Sequence, residues 1–289
     1  MKVDGKKIAE QIFEDLKQKI FLLKKRHIVP HLAIILIGNN PASLSYVNQK
    51  KIKSEYIGAK TTVYNFEDQV DQNEIEKLVK KLNMNPKIHG IIIQRPLPQH
   101  VDEQFAKNMV APEKDIDGFL SHSKFVEPIA EAVLEILKTI HADIQLKESQ
   151  EQGKACFPFN EWLKLKNIVV VGKGPTGGKP LINLFHKLRV QPLIIDSKTT
   201  NPGKVVKSAE ILISTVGRSV IRTNEVKKGA IVIGIGMHKK REDGKLYPDY
   251  DQEEIAIIAS YYTPVPGGVG PVNVAMLLKN LIFAIDPKL

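Results

Sequence analysis

The sequence predicts an α/β protein built on parallel sheets. Continuous apolar runs, such as L-A-I-I-L-I at residues 32–37, alternate with segments whose apolar residues recur at helical spacing. A glycine turn, G-K-G-P-T-G-G-K-P at residues 172–180, also joins a strand-like run to a helix-like one. A chain of 289 residues, 43% hydrophobic and 26% charged, can bury a full core and fits two domains or one large one.

Composition narrows the function classes. The 42 Lys+Arg against 32 Asp+Glu give +10, but the positive charges are scattered and few aromatics are available to stack bases. An acidic small molecule accounts for the balance as well as nucleic acid does. The single cysteine, Cys156, excludes an intramolecular disulfide and reads as a stray thiol, and no His/Asp/Glu cluster completes a metal cage. With no basic-apolar leader and no apolar run near the roughly 18 residues of a membrane span, a cytoplasmic protein is expected.

In chain order, Asp4 is a plausible cap for a helix with Ile8, Ile12, Leu16 and Ile20 on one stripe. After the strand at 32–37, Pro41, Ala42 and Ser43 open a second helix that ends near Gly58. A strand at 61–66, a helix marked by Ile75, Leu78, Val79 and Leu82, and a strand at 90–94 complete a β-α-β-α-β alternation. Ile129, Val133, Ile136, Leu137 and Ile140 form a further helical stripe. Residues 142–161 are polar and without period, so a solvated loop or insertion is expected there. Strand-like segments follow at 167–171, 192–195, 211–216, 230–235 and 255–260, and the chain closes with an apolar helix after Pro271.

Tyr46 and Lys50, four residues apart on the second helix, share one face near a strand's carboxyl end, where open α/β sheets place active sites. Gln94 ends the strand I-I-I-Q before R-P-L-P and can face the same crevice. In D-I-D-G-F, Asp115 and Asp117 are too few for a metal, and a single carboxylate receiving a ligand's amino groups fits better. The turn at 172–180 suits a dinucleotide: its glycines allow sharp backbone turns near a pyrophosphate, and the helix start offers free N–H groups. Candidate cofactor contacts are Gly172, Lys173, Gly174 and Gly178 there, then Asp196, Ser197 and Lys198, then Val216, Gly217 and Gly236. An acid at Asp196 favours the free 2′-hydroxyl of NAD, while Lys198 suits the 2′-phosphate of NADP. The loop T-P-V-P-G-G-V-G-P at 263–271 is stiffened by proline and open at glycine, as a wall of a binding cleft would be.

These motifs together resemble the bifunctional methylenetetrahydrofolate dehydrogenase/cyclohydrolase (FolD) family. N-P-A-S-x-x-Y-V-x-x-K at 40–50, G-I-I-I-Q-R-P-L-P at 90–98, D-I-D-G-F at 115–119 and T-P-V-P-G-G-V-G-P at 263–271 carry the likeness, which covers nearly the whole chain except residues around 142–162. The resemblance implies a folate-side domain of residues 1–126 plus 270–289, a Rossmann-like domain of 127–269, a cleft between them, and a homodimer. It implies Lys50 as the catalytic lysine, Gln94 as its positioning partner, Tyr46 as the ring packing on folate and Asp117 as the carboxylate binding the pterin, with Pro264, Gly267 and Gly268 beside the substrate. The expected cofactor is NADP, with NAD as the alternative. The expected activities are oxidation of 5,10-methylenetetrahydrofolate and hydrolysis of the methenyl product to 10-formyltetrahydrofolate.

The chain departs from the family pattern at E-P-I-A (127–130), Gly174, Asp196, G-I-G (234–236) and Val272-Asn273, and all but the last lie in the cofactor domain or the linker leading into it. A cyclohydrolase with a weakened nicotinamide site, or a non-catalytic folate- or nucleotide-binding protein, therefore stand as the alternatives.

Overall fold

The computed structural model describes residues 1–120, 122–152, 157–239 and 245–289; Cys156 lies outside them. In chain order the elements are α1 (Gly5–Lys25), β1 (His31–Ile37), α2 (Pro41–Tyr56), β2 (Lys60–Phe66), α3 (Gln72–Met84), β3 (Gly90–Ile93), α4 (Glu103–Met109) and α5 (Pro128–Gln152). They continue with α6 (Phe159–Lys164), β4 (Ile168–Val171), α7 (Gly178–Lys187), β5 (Leu193–Ile195), α8 (Pro202–Ser208), β6 (Ile211–Ser214) and β7 (Ile231–Gly234). The last are β8 (Met237–Lys239), β9 (Leu246–Pro248), α9 (Gln252–Ile258), β10 (Tyr261–Tyr262) and α10 (Val269–Ile285).

The chain forms two compact units: Glu10–Pro128 with Val274–Leu289, and Met1–Ala9 with Ile129–Asn273. The first holds a parallel three-stranded sheet of order β2-β1-β3. Its central strand β1 buries Leu32 to Ile37 without a break, which is why that run does not alternate. Asn40 caps α2: its side-chain oxygen accepts from the N–H of Ala42 at 2.9 Å and of Ser43 at 3.2 Å, with Pro41 at the first helical position. Asp4 caps α1 as expected, accepting from Lys6 and Lys7. Ile8, Leu16 and Ile20 are buried, and Phe13 takes the deep position beside the half-buried Ile12.

The second unit holds five parallel strands in the order β10-β7-β6-β4-β5. Counted along the chain this is a 2-1-3-4-5 sheet, a doubly wound order whose switch point lies between β4 and β6. The three-stranded sheet has the same 2-1-3 start. In both, ligand chemistry belongs at the carboxyl ends of the strands flanking the switch. The first nine residues join this second unit, whereas the sequence grouped them with 10–126. Backbone bonds hold them there: Val3 N–H donates to the Tyr262 carbonyl and Tyr262 N–H to that of Met1. No side-chain pattern encodes such pairing.

Two stretches differ from the sequence reading. Residues 142–161 are not one solvated loop: α5 runs on to Gln152, and Phe159–Lys164 form α6. The α5 extension is polar but rich in Ala, Gln, Glu, Leu and Lys, which favour helix, with no Gly or Pro, and Asp143 pairs with Lys147 at 2.6 Å while receiving the Tyr261 hydroxyl at 2.5 Å. Trp162 anchors α6 against His141, ring centroids 4.9 Å apart. Residues 255–260 are not a strand either, since α9 reaches Ile258. Asp251 caps it through the N–H groups of Glu253 and Glu254, and Ile255 is fully buried while Ile257 is 82% exposed. A strand would have put those two isoleucines on one face. The true edge strand is the short β10. Among the described residues no helix is long and apolar enough to cross a membrane.

Candidate functional site

In the three-stranded unit, α2 turns an unusual face inward: Ser43, Val47, Lys50 and Ser54 are its buried residues. Three of the four are polar, so this face is not a hydrophobic stripe. Lys50 is only 7% exposed and its Nζ donates to Oε1 of Gln94 at 3.0 Å. Gln94, 9% exposed, follows the carboxyl end of β3, where its N–H still bonds to Ile35 of β1 and its Nε2 donates to the Arg95 carbonyl at 2.7 Å. That second bond fixes the amide so that its oxygen faces the amine. Ser43 Oγ reaches the same carbonyl at 3.4 Å, tying the start of α2 to the end of β3.

Burial lowers the pKa of Lys50, and the carboxylate of Asp117 works in the opposite direction. The two acids of D-I-D-G-F are thereby told apart. Asp115, 4% exposed, accepts from the N–H groups of Phe119 at 3.2 Å and Leu120 at 3.0 Å and shapes the turn. Asp117 is half-buried, and among the described residues its carboxylate receives no hydrogen bond, leaving it open to a ligand donor. Tyr46, half-buried one turn before Lys50, has its pKa raised by burial and stays a neutral phenol. A concavity in this unit is lined by Ile91, Ile93, Arg95, Leu97, Asp117 and Phe119 among others, with the Arg95 guanidinium 4.1 Å from the centre of the Phe119 ring. Arg95 and Phe119 lie within the motifs G-I-I-I-Q-R-P-L-P and D-I-D-G-F but carry no expected role there; a cation one residue past Gln94 is the signal that marks the first of them.

In the five-stranded unit, β4 delivers Gly172 in a left-handed conformation, φ +93°. A Cβ at Gly178 would lie 2.0 Å from the Gly172 carbonyl oxygen, so the turn closes on itself only with glycine there. Gly177, the cap of α7, makes no side-chain capping bond, which leaves the helix start open to an anion, and nothing would meet a Cβ at Gly174 within 4 Å. A dinucleotide pyrophosphate fits this cradle. Lys173 Nζ meets Asp196 Oδ2 at 2.6 Å, and with the Lys198 N–H this holds the Asp196 carboxyl down at about 2. Ser197 and Lys198 are exposed beside it. Val216 and Gly217 follow β6 at the switch point, and Gly236 follows β7.

Two family models match the chain. The catalytic domain of tetrahydrofolate dehydrogenase/cyclohydrolase covers residues 3–117, and the NAD(P)-binding domain of the same enzymes covers residues 159–288. A bifunctional protein FolD of Agathobacter rectalis is 36% identical over 98% of each chain. The chain belongs to the tetrahydrofolate dehydrogenase/cyclohydrolase family.

Solved members of the family agree with its fold. The FolD dehydrogenase/cyclohydrolase of Campylobacter jejuni superposes with a TM-score of 0.89 at 32% identity, over 100% of this chain and 99% of that one. The Trypanosoma brucei FolD, solved with NADP and an inhibitor, gives 0.87 at 28% identity, over 100% and 98%. Within this family fold, Tyr46, Lys50, Gln94 and Asp117 fall together in the three-stranded unit. Pro264, Gly267 and Gly268 lie in the five-stranded unit, where Gly267 has φ +103° and Pro264 and Gly268 are buried. Among the described residues no group of three or more His, Cys, Asp or Glu side chains could hold a metal ion.

Proposed function

We propose that the family's two reactions run here through Lys50, Gln94, Tyr46 and Asp117: oxidation of 5,10-methylenetetrahydrofolate and hydrolysis of the methenyl product to 10-formyltetrahydrofolate. The observation that carries this is the buried amine of Lys50 held 3.0 Å from Gln94 with the Asp117 carboxylate facing it. In the hydrolysis, water adds its oxygen to the methenyl carbon, the bond from that carbon to N5 breaks, N5 takes one proton and the other is released. An amine with a lowered pKa can accept the water's proton and return one, an effect worth about a hundred- to ten-thousand-fold. Gln94 keeps the amine aimed, Tyr46 presents its ring face to the folate, and Asp117 accepts from the pterin's amino groups.

A bound nicotinamide dinucleotide supplies the hydride acceptor for the oxidation. Gly172, Gly174 and Gly178 would hold its pyrophosphate, with Lys173, Asp196, Ser197 and Lys198 near the ribose and Val216, Gly217 and Gly236 alongside. Asp196, bridged by Lys173, opposes a 2′-phosphate less than a free carboxylate would, and Lys198 stands by to meet it; we therefore assign NADP. The family resemblance further implies a homodimer. Lys50→Met is expected to abolish methenyl hydrolysis, followed by methenyl absorbance, while the substrate still binds. Unchanged hydrolysis in that variant removes Lys50 from the chemistry.

A further inference from the structure

Asp249, just past β9, is fully buried, and among the described residues no Lys, Arg or His forms an ion pair with it. Such a carboxylate is tolerated only if its oxygens are otherwise satisfied. The exit loop of β6 satisfies them. Oδ2 accepts from Ser214 Oγ at 2.5 Å and from the Val216 N–H at 2.8 Å, and Oδ1 accepts from the Gly217 N–H at 2.9 Å. The main-chain carbonyl of the same residue accepts from Val220 N–H at 3.0 Å and Ile221 N–H at 3.1 Å, so one residue grips the loop at both ends.

This loop stands against the glycine turn after β4: a Cβ at Gly172 would be 2.7 Å from Thr215 Oγ1 and 3.1 Å from Val216 Cγ2. Gly236, whose glycine the sequence attributed to cofactor approach, has a nearer reason. A Cβ there would lie 2.2 Å from Asp249 Oδ2 and 2.4 Å from the Gly217 nitrogen, so carboxylate and loop backbone fill the space of a side chain.

We propose that Asp249 is a positioning residue for the dehydrogenase reaction: it fixes the Val216–Gly217 backbone at the switch point in the shape that receives the dinucleotide. The proposal rests on the reading that this loop borders the cofactor. Hydrolysis of the methenyl substrate needs no dinucleotide, so the two activities separate a positioning role from a general loss of fold.

In Asp249→Asn the amide Nδ2 replaces one acceptor with a donor, leaving a buried loop N–H without a partner. The KM for NADP+ is expected to rise about tenfold or more, the scale of one such group. The kcat/KM for methenyl hydrolysis is expected to stay within about twofold. Ser214→Ala removes a donor to the carboxylate but neither loop N–H bond, so its KM for NADP+ should change far less. Where Asp249→Asn does not fold, Asp249→Ser removes the same carboxylate without placing a new donor against the loop, leaves at least one of the Val216 and Gly217 N–H groups without its partner, and should raise the KM in the same selective way. An unchanged KM for NADP+, or parallel loss of both activities in every folded variant, overturns the proposal. Wild-type protein that forms no NADPH from 5,10-methylenetetrahydrofolate overturns instead the functional reading beneath it.

Discussion

Lys50 is an amine whose surroundings oppose its charge, and the sign of that opposition can be measured. Burial sets its folded pKa below the ordinary value of about 10.4, so between the two values the unfolded chain holds a proton that the folded chain lacks. Stability must rise with pH across that window, and the penalty of burying the amine is fully present below it. Lys50→Met has no such equilibrium. The melting temperature of the wild type relative to Lys50→Met should therefore climb between neutral pH and pH about 10. A difference independent of pH contradicts a buried, proton-exchanging amine. Tyr46 and Lys50 were visible in the sequence as a helical pair; the burial of the amine was not, because a helix that hides Ser43, Lys50 and Ser54 has no apolar stripe to announce its inner face.

Elements were legible where their apolar periods are pure. The run at 32–37 became β1, and the spacing of Ile75, Val79 and Leu82 became α3 with those three residues buried. The reading failed where two periods compete. I-A-I-I-A-S at 255–260 offers an apolar run short enough for a strand, and the cap at Asp251 decides for a helix. That distinction predicts opposite outcomes at neighbouring isoleucines. Ile255→Ala should destabilise by about 2–5 kcal/mol, while Ile257→Ala, at an exposed site, should stay within about 0.5 kcal/mol, both read by denaturant unfolding. Equal losses at the two positions would restore the strand. The polar α5 extension was missed for the converse reason: its support is the Asp143, Lys147 and Tyr261 cluster, and Tyr261 stands on a distant strand.

Across the whole molecule, two parallel sheets each present a switch point, and the segments that follow their strands carry the candidate groups: α2 after β1, the loop after β3, and the turns after β4, β5, β6 and β7. A dinucleotide bound only by the folded protein must stabilise it by mass action. At a hundred times its Kd, NADP+ should add about 2.7 kcal/mol to the unfolding free energy, measured by denaturant titration with and without ligand. No shift at saturating NADP+ contradicts the assignment of the Gly172–Gly178 turn. By itself the sequence determined the α/β class, most strands and helices and the family, and it singled out four polar residues that all lie in the three-stranded unit. These are written in local spacing and short motifs. Only the tertiary structure decided that Met1 to Ala9 join the five-stranded unit, that Asp115 shapes its turn while Asp117 stays open, that Lys173 occupies Asp196, and that Asp249 grips the loop after β6. Each depends on a backbone bond, an ion pair or a buried charge whose partner the chain's local pattern leaves unmarked, and such contacts register distance in space, not position in sequence.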